Sequence, residues 1–242
     1  LSRKFFFMKL KAGTTQTKSG KSGKGNGKYA PAMPGPSVEK PDLMIQTRSL
    51  GGYAELKYAR KMTEAEFYRF CADNPELRIE QDKNGKLIIM PPVEFDGSAR
   101  ENAVTTTLYN WWERHRKGLT LSPSAGFKLP DNSTRSADGS WVSEERLAVV
   151  SKEERKKFAR IVPDFVVEVS SESDRIGRLK RKMTEVWIKN GVRLAWLIDP
   201  KKEITYIYRA DGSKEELSGF DRMLSGEAVC SGLELDLRQL RF

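Results

Sequence analysis

Apolar and polar positions follow two different periods in the second half of the chain, and each period predicts one kind of element. FVVEV (165–169) and LAWLID (194–199) are short, almost wholly apolar runs, typical of strands buried on both faces. Between them, the apolar residues of 175–190 recur at helical spacing, and Gly191 follows as a stop signal. This order predicts two parallel neighbouring strands joined by a right-handed crossover.

The segment before this unit predicts a helix, a hairpin and a longer helix. Thr63 and Glu66 have the spacing of a capping box, so a helix of about ten residues should begin there. Asn84-Gly85 lies between the strand-like runs LRIEQ and KLIIM and indicates a hairpin. From about 98 to 117 apolar side chains share one helical face, and Gly118 should end that helix.

Shorter elements should complete the sheet and its edges. Strands are expected near 119–122 and 125–129, in RSADGSWV, and at 203–209 and 232–237, and Ser151 with Glu154 should begin a short polar helix. Together the elements predict an α/β (α+β mixed) fold. A central mixed sheet is flanked by helices and preceded by an N-terminal hairpin.

Residues 1–60 differ in composition from the rest of the chain. Gly, Lys, Ser, Thr and Pro dominate 13–38, so we expect 1–60 to be a disordered basic tail and 61–242 to be the folded domain. The tail carries 12 Lys/Arg and 3 Asp/Glu, whereas the remainder carries 31 and 30. A phosphate-grasping arm is one interpretation. The composition favours a linker, a leader or translated upstream sequence, dispensable for chemistry.

Histidine and cysteine usage excludes several classes of function. His115 is the single histidine, which argues against zinc hydrolases and histidine-metal nucleases. A Ser-His-Asp triad would have to use His115. This residue stands among charges at a predicted helix end, where a solvated role or an interaction with the helix dipole is favoured. Cys71 and Cys230 form no CxxC pair and fit a reducing cytosol, so a cytoplasmic protein is expected. No apolar run approaches the roughly 18 residues of a membrane span.

Two acidic residues have positions that predict chemistry. Glu168 lies inside an apolar strand, where a carboxylate must face a pocket, a partner or a metal unless the strand is an edge facing water. Asp138 follows a short predicted strand. If the two carboxylates are close, they repel each other, and a hard cation such as Mg²⁺ would relieve that conflict. The carbonyl of Val169 is a further candidate ligand.

The helix after Glu168 supplies basic side chains. Arg175, Arg178, Lys182 and Glu185 are spaced 3, 4 and 3 apart and share one helical face. A lysine beside the two acids would offset the charge that develops on a phosphodiester. For a lone helix, a solvated basic face would be the better interpretation, but the position directly after the Glu168 strand favours a functional one.

Several motifs, in this order, resemble the Uma-type family of putative restriction endonucleases, within the PD-(D/E)XK nuclease superfamily. They are NGKLIIMPP, GFKLP, RSADGSWVS, PDFVVEVSSESD, KMTE and NGVRLAWLIDP. The resemblance covers about Met62 to Leu240. It implies a restriction-endonuclease-like core with Mg²⁺ (or Mn²⁺) at a carboxylate pair and DNA as the substrate.

The resemblance also implies roles for individual residues. The PD aspartate of the family falls on Asp138, its strand glutamate on Glu168 and its helix lysine on Lys182. Asp138 and Glu168 are thereby implied as metal ligands, with Lys182 as a further catalytic residue. A glutamate of the first hairpin strand falls on Glu80, which supports either the site or the fold.

Two departures from the family pattern leave a second interpretation open. Ala137 stands where the motif has proline, and Ser170 stands at the lysine position of ExK. The lysine has therefore either migrated to Lys182 or been lost. Its loss would leave a non-catalytic DNA-binding or interaction module on the same fold. A two-carboxylate glycosidase is less supported, because a basic helix suits phosphate better than sugar. A homodimer would offer one site for each strand of a duplex.

Overall fold

The computed structural model describes residues 60–242, together with the backbone of 44–46 and 54–57. Two six-stranded sheets dominate this part of the chain. The spatial order of the first is β1 (Met44–Gln46), β2 (Ala54–Lys57), β4 (Leu87–Met90), β3 (Arg78–Gln81), β7 (Thr134–Arg135) and β6 (Phe127–Lys128). The predicted hairpin is the β3–β4 pair. It joins the rest of this sheet through the pairing of Gln81 with Thr134.

The second sheet is the predicted central mixed sheet. Its order is β12 (Lys214–Ser218), β11 (Ile204–Arg209), β10 (Leu194–Asp199), β9 (Phe165–Val169), β8 (Gly139–Val142) and β5 (Leu119–Leu121). The pair β9–β10 is parallel, with Val167 opposite Trp196, as the strand–helix–strand pattern predicts. Its other neighbouring strands pair antiparallel. A small antiparallel pair, β13 (Met223–Ser225) and β14 (Glu234–Asp236), lies near the C-terminus.

Four α-helices of the described residues pack against the sheets, and two predicted caps are present. They are α1 (Glu64–Asp73), α2 (Phe95–His115), α3 (Glu144–Ala148) and α4 (Ile176–Arg181), with 3-10 turns at Glu154–Lys156 and Leu237–Leu240. The helix α1 packs on the hairpin of the first sheet, and α2 and α4 pack on the second sheet. Thr63 and Glu66 form the predicted capping box at the start of α1. After α4 the helix continues as a π-helical segment, Lys182–Trp187, and ends in a 3-10 turn, Ile188–Asn190, before Gly191. No described helix has the length and apolar character needed to cross a membrane.

The two faces of β9 and β10 build two separate cores. On one face, Phe165, Val167 and Val169 pack with residues of α2. On the other face, Val166 packs with residues of α4 and the π-helical segment. Successive side chains of a strand point to opposite faces, so Glu168 shares the face of Val166. A charged side chain is thereby placed under a helix, among buried apolar neighbours.

The prediction of disorder through residue 60 is wrong for two short stretches. Residues 44–46 and 54–57 are β1 and β2, and β2 pairs antiparallel with β4. These stretches lie beyond the Gly- and Lys-rich composition of 13–38, and without β2 the strand β4 would be an edge whose unpaired backbone groups can bind another strand. The remainder of 1–59 lies outside the described residues, and the division at 60/61 stays a prediction.

Besides β1 and β2, further short elements were not predicted from the sequence, and several boundaries differ by a few residues. The further elements include α3, β12 and β13, which are short or carry few apolar residues. The helix α2 begins at Phe95 rather than near residue 98. It ends at His115 because Arg116 adopts a left-handed conformation, and Gly118 then turns the chain into β5 with a φ of 70°.

We expect Gly118 to be the least replaceable of the left-handed glycines that connect these elements. A Cβ on Gly118 would lie 2.2 Å from the carbonyl oxygen of Val142, whereas a Cβ on Gly212 would meet nothing within 4 Å. Both residues have positive φ, so alanine costs about 1–2 kcal/mol at either position. Gly118→Ala should lower the free energy of unfolding in urea clearly more than Gly212→Ala. Equal losses would show that the close approach of this Cβ to the carbonyl oxygen of Val142 does not affect stability.

Candidate active site

The four residues that the sequence analysis selected line one cavity of about 380 Å³. Glu80 comes from β3 of the first sheet, and Glu168 comes from β9 of the second. Asp138 directly precedes β8, and Lys182 is the first residue of the π-helical segment. The cavity therefore lies where the two sheets and the crossover helix meet.

Asp138, just before the first residue of β8, is held in place by the neighbouring strand β9. Gly139 pairs with Val167, which places Asp138 beside the end of β9. Its Oδ2 accepts a hydrogen bond from the backbone N–H of Val169 at 2.8 Å. Its Oδ1 lies 3.7 Å from Nη2 of Arg78, too far for a hydrogen bond. One oxygen of this carboxylate is thus fixed by the backbone, and within residues 60–242 no hydrogen bond to the other is seen.

Glu168 is buried but contacts two hydrogen-bond donors. Its Oε1 accepts a hydrogen bond from the indole N–H of Trp187 at 2.8 Å. The same oxygen lies 2.9 Å from Nζ of Lys182. Within residues 60–242, no hydrogen bond to Oε2 is seen. Glu168 therefore resembles Asp138 in having one oxygen held by the protein and one without a donor.

The amine of Lys182 points into the acidic cluster. Its Nζ lies 2.9 Å from Oε1 of Glu168 and donates to Oε1 of Glu80 at 3.0 Å. It also donates to the carbonyl of Ser136 at 2.9 Å. Three acceptors surround a group that has three protons to donate. The helix lysine, and not the residue at position 170, is brought to Glu168. The N–H of Ser170 instead donates to the carbonyl of Ile198.

Glu80 ties the hairpin to the segment before Asp138. Its Oε2 accepts from Nη1 of Arg135 at 2.8 Å, and its Oε1 accepts from the backbone N–H of Ser136 at 3.1 Å. Because both of its oxygens are occupied by protein donors, Glu80 is poorly suited to bind a metal. Its contacts orient Lys182. Ala137, in the place of the motif proline, is buried in the core.

Two buried carboxyl groups in the cavity have a raised pKa. Burial raises the pKa of Glu168 to about 7, and the charges of Asp138 and Glu80 add to the rise against the opposing charge of Lys182. Burial, followed by the charge of Glu101, raises the pKa of Asp138 to about 6. In both cases the negative charge is only partly compensated by the protein.

The pKa values of Glu80 and Lys182 shift in the direction that favours the charged form of each group. Burial disfavours the ionised form of Glu80, but Lys182 and Arg135 outweigh burial and lower the pKa of Glu80 to about 2. Burial likewise opposes the charge of Lys182. The carboxylates of Glu168 and Glu80 outweigh burial there as well and raise the pKa of Lys182 above its ordinary value. Lys182 therefore remains a cation at neutral pH.

Several residues of the cavity were missed by the sequence analysis. Arg78, Glu101 and Arg135 line it, and Trp187 contacts Glu168 from the core beside it. Arg135 lies three residues before Asp138 in RSAD, so its position in the motif was a usable signal. Trp187 gave no such signal, because a tryptophan among the apolar residues of a helix is typical of core packing. His115 does not line the cavity, and its Nδ1 contacts the carbonyl of Trp111 at 2.7 Å.

The carboxylate pair fits a hard cation by its chemistry. Asp138 and Glu168 each present one oxygen without a hydrogen bond, and each has a raised pKa. Among residues 60–242, no group of three or more His, Cys, Asp or Glu side chains is arranged to hold a metal. Mg²⁺ tolerates a pair of protein ligands, because it commonly keeps several waters. The carbonyl of Val169 stays a predicted ligand.

Comparison with known proteins agrees with the motifs. The model of the Uma2 family, described as putative restriction endonuclease, matches residues 64–238. A crystal structure of a putative nuclease from Anabaena variabilis superposes with a TM-score of 0.58 and 20% identity, over 74% of this chain and 97% of that chain. At that identity the likeness shows the fold. No curated protein matches the sequence.

The raised pKa of Asp138 predicts that the carboxylate destabilises the metal-free fold at neutral and higher pH. The folded-state pKa of about 6 exceeds the ordinary 3.8, so the penalty is absent below the lower value and complete above the higher one. In EDTA at about pH 8, Asp138→Asn should be more stable than the wild type by on the order of 2 kcal/mol. The gain should vanish towards about pH 4.

Urea unfolding across pH measures this gain, with Asp73→Asn as the control at an exposed carboxyl of α1. The gain of Asp138→Asn should change between pH 4 and pH 6, the range over which Asp138 titrates, and subtracting the Asp73→Asn profile removes the general effect of losing one carboxylate. An Asp138→Asn protein that is less stable than the wild type at high pH would contradict the raised pKa.

Proposed function

This chain belongs to the Uma2 family of putative restriction endonucleases, and we propose that it is a Mg²⁺-dependent endonuclease that hydrolyses DNA phosphodiester bonds. The observation that carries the proposal is one cavity with the amine of Lys182 held between Glu168 and Glu80 and the carboxylate of Asp138 beside them. In such a cluster the lysine would stabilise negative charge on the phosphate, and the carboxylates would bind a metal ion.

Asp138 and Glu168 would hold Mg²⁺ or Mn²⁺ through the oxygens that no protein donor occupies. The bound ion would lower the pKa of the attacking water and screen charge on the phosphate. Burial raises the pKa values of both acids, and the cations of the protein do not fully offset it. The same electrostatic conflict that destabilises the free protein thus favours cation binding.

Lys182 contributes positive charge rather than acting as a base. Its raised pKa keeps the amine protonated, so it cannot accept a proton from water at neutral pH. Glu80 and the carbonyl of Ser136 fix the amine at the edge of the cavity. From that position the ammonium would stabilise the charge that accumulates on the phosphate oxygens in the transition state. Glu80 acts through Lys182 as a positioning residue.

The helix that carries Lys182 also offers cations to the flanking phosphates. Arg181 is exposed and lines the cavity. Lys180 lies on another side of the helix, with its Nζ 3.7 Å from the ring centroid of Tyr206. Residues 61–242 are nearly neutral overall, so a local basic patch of this kind must attract the DNA backbone. A homodimer with two such sites would cut both strands of a duplex.

Removal of either metal-binding carboxylate should abolish cleavage and spare the fold. Asp138→Asn and Glu168→Gln keep the shape of each side chain and remove its charge, so we expect a rate loss of at least about 100-fold. A plasmid-nicking assay with Mg²⁺ titration measures the rate, and circular dichroism checks the fold. The exposed Glu234→Gln is the matched control.

Two outcomes would contradict this assignment. Either variant retaining full activity would remove that residue from the site. A wild-type protein that binds DNA yet never cuts it at any Mg²⁺ or Mn²⁺ concentration would instead identify a non-catalytic DNA-binding module on this fold.

Replacement of Lys182 should separate charge from proton transfer. Lys182→Met should lower kcat by about 10²–10³-fold, whereas Lys182→Arg, which keeps a cation, should retain part of the rate. Lys180→Ala and Arg181→Ala should mainly weaken DNA binding. Each should reduce the slope of log affinity against log salt by about 0.9. Equal loss in the Met and Arg variants would argue against a purely cationic role.

A further inference from the structure

The π-helical segment brings two residues five positions apart to the same carboxylate oxygen. In an α-helix, side chains at i and i+5 are about 140° apart around the axis, so they cannot converge on one point. The i→i+5 hydrogen bonding of a π-helix aligns such residues. Lys182 and Trp187 are the first and last residues of the segment, and they contact Oε1 of Glu168 at 2.9 Å and 2.8 Å.

Trp187 is held firmly on the side away from Glu168. Its side chain is fully buried, and its ring packs edge-on against Phe127 with centroids 6.4 Å apart. The Nζ of Lys182 lies 5.6 Å from the Trp187 ring centroid. The indole has a single hydrogen-bonding group, which donates to Glu168. The ring is therefore oriented by the core, and its donor is aimed at the site.

A comparison with the other buried indoles distinguishes this contact from ordinary core packing. Trp111 and Trp141 donate to backbone carbonyls, those of Ser231 and Lys117, each at 2.9 Å. The indole N–H of Trp196 has no partner within the described part of the chain. Only Trp187 among these four donates to a carboxylate, and that carboxylate belongs to the cavity. An unpaired indole is tolerated in this core, so satisfaction of the N–H alone does not explain the arrangement.

We propose that Trp187 is a positioning residue for Glu168. Its N–H and the ammonium of Lys182 together occupy Oε1, and they leave Oε2 as the oxygen available to a divalent cation shared with Asp138. The proposal rests on the proposed function for the identity of that cation. A donor behind a ligating carboxylate fixes its orientation, and loss of such a donor typically weakens metal affinity by 10–100-fold.

The test is Mn²⁺ binding measured by isothermal titration calorimetry, with DNA cleavage measured in parallel. Trp187→Phe removes the N–H and keeps an aromatic ring, so Mn²⁺ affinity and kcat should each fall about 10- to 100-fold while KM for DNA stays unchanged. Trp111→Phe is the matched control, because it removes an indole hydrogen bond of similar length at a residue that does not line the cavity. Equal Mn²⁺ affinity in the two variants, or no Mn²⁺ binding by the wild type, would overturn the proposal.

A second variant separates positioning from packing. Trp187→His restores an N–H donor but fills the core less well than phenylalanine, so thermal stability should rank Phe above His. If Trp187 positions Glu168 through its N–H, Mn²⁺ affinity should instead rank the His variant above the Phe variant. If affinity also ranks Phe above His, packing explains the effect and the proposal is wrong.

The same data distinguish failure of this inference from failure of the nuclease function. Weakened Mn²⁺ binding in Trp187→Phe, with no cleavage by the wild type, would retain the positioning role and reject the endonuclease. Robust cleavage that Trp187→Phe leaves unchanged would retain the endonuclease and reject the positioning role.

Discussion

The site depends on one buried ammonium group with several acceptors. Lys182 contacts a carboxylate of each sheet, Glu80 from the first and Glu168 from the second, and it also binds the carbonyl of Ser136. A buried ion pair contributes little net stability, but removing the lysine would leave two buried carboxylates uncompensated at a cost of about 3–5 kcal/mol. The lysine therefore fixes how the hairpin, the strand β9 and the crossover helix meet.

That arrangement leaves the site with more negative charge than the protein itself can balance. One lysine and Arg135 satisfy Glu80 fully, as the lowered pKa of Glu80 shows. They do not satisfy Glu168 and Asp138, whose pKa values rise. Strain of this electrostatic kind is found where a protein sacrifices stability for binding or chemistry. The position of the excess charge, in an open cavity and not in the sealed core, supports the functional interpretation.

Sequence patterns predicted the parts of the structure that local chemistry determines. The β9–helix–β10 unit followed from apolar runs around an amphipathic helix, and the capping box of α1 followed from Thr63 and Glu66. The resemblance to the family selected Asp138, Glu168, Lys182 and Glu80, and the structure brings them to one cavity. Whether they catalyse a reaction stays a prediction.

Other features depend on contacts between distant segments, which no local pattern encodes. The sheet divides in two because the hairpin pairs with β7, and β2 joins β4 from a segment whose composition suggested a tail. The contact of Trp187 with Glu168 could not be predicted, because helical periodicity assumes 3.6 residues per turn, whereas this segment has the wider π geometry.

The number of residues between Lys182 and Trp187 sets the direction of both side chains. The residues between them should therefore tolerate substitution better than deletion. Deleting a residue between Lys182 and Trp187 would let the helix regain α geometry and would rotate one of the two donors away from Glu168. Substitutions at exposed Glu185 leave that register intact. Related sequences with a gap in this short stretch should therefore be aligned on the lysine and the aromatic separately, and engineered variants should keep the spacing constant.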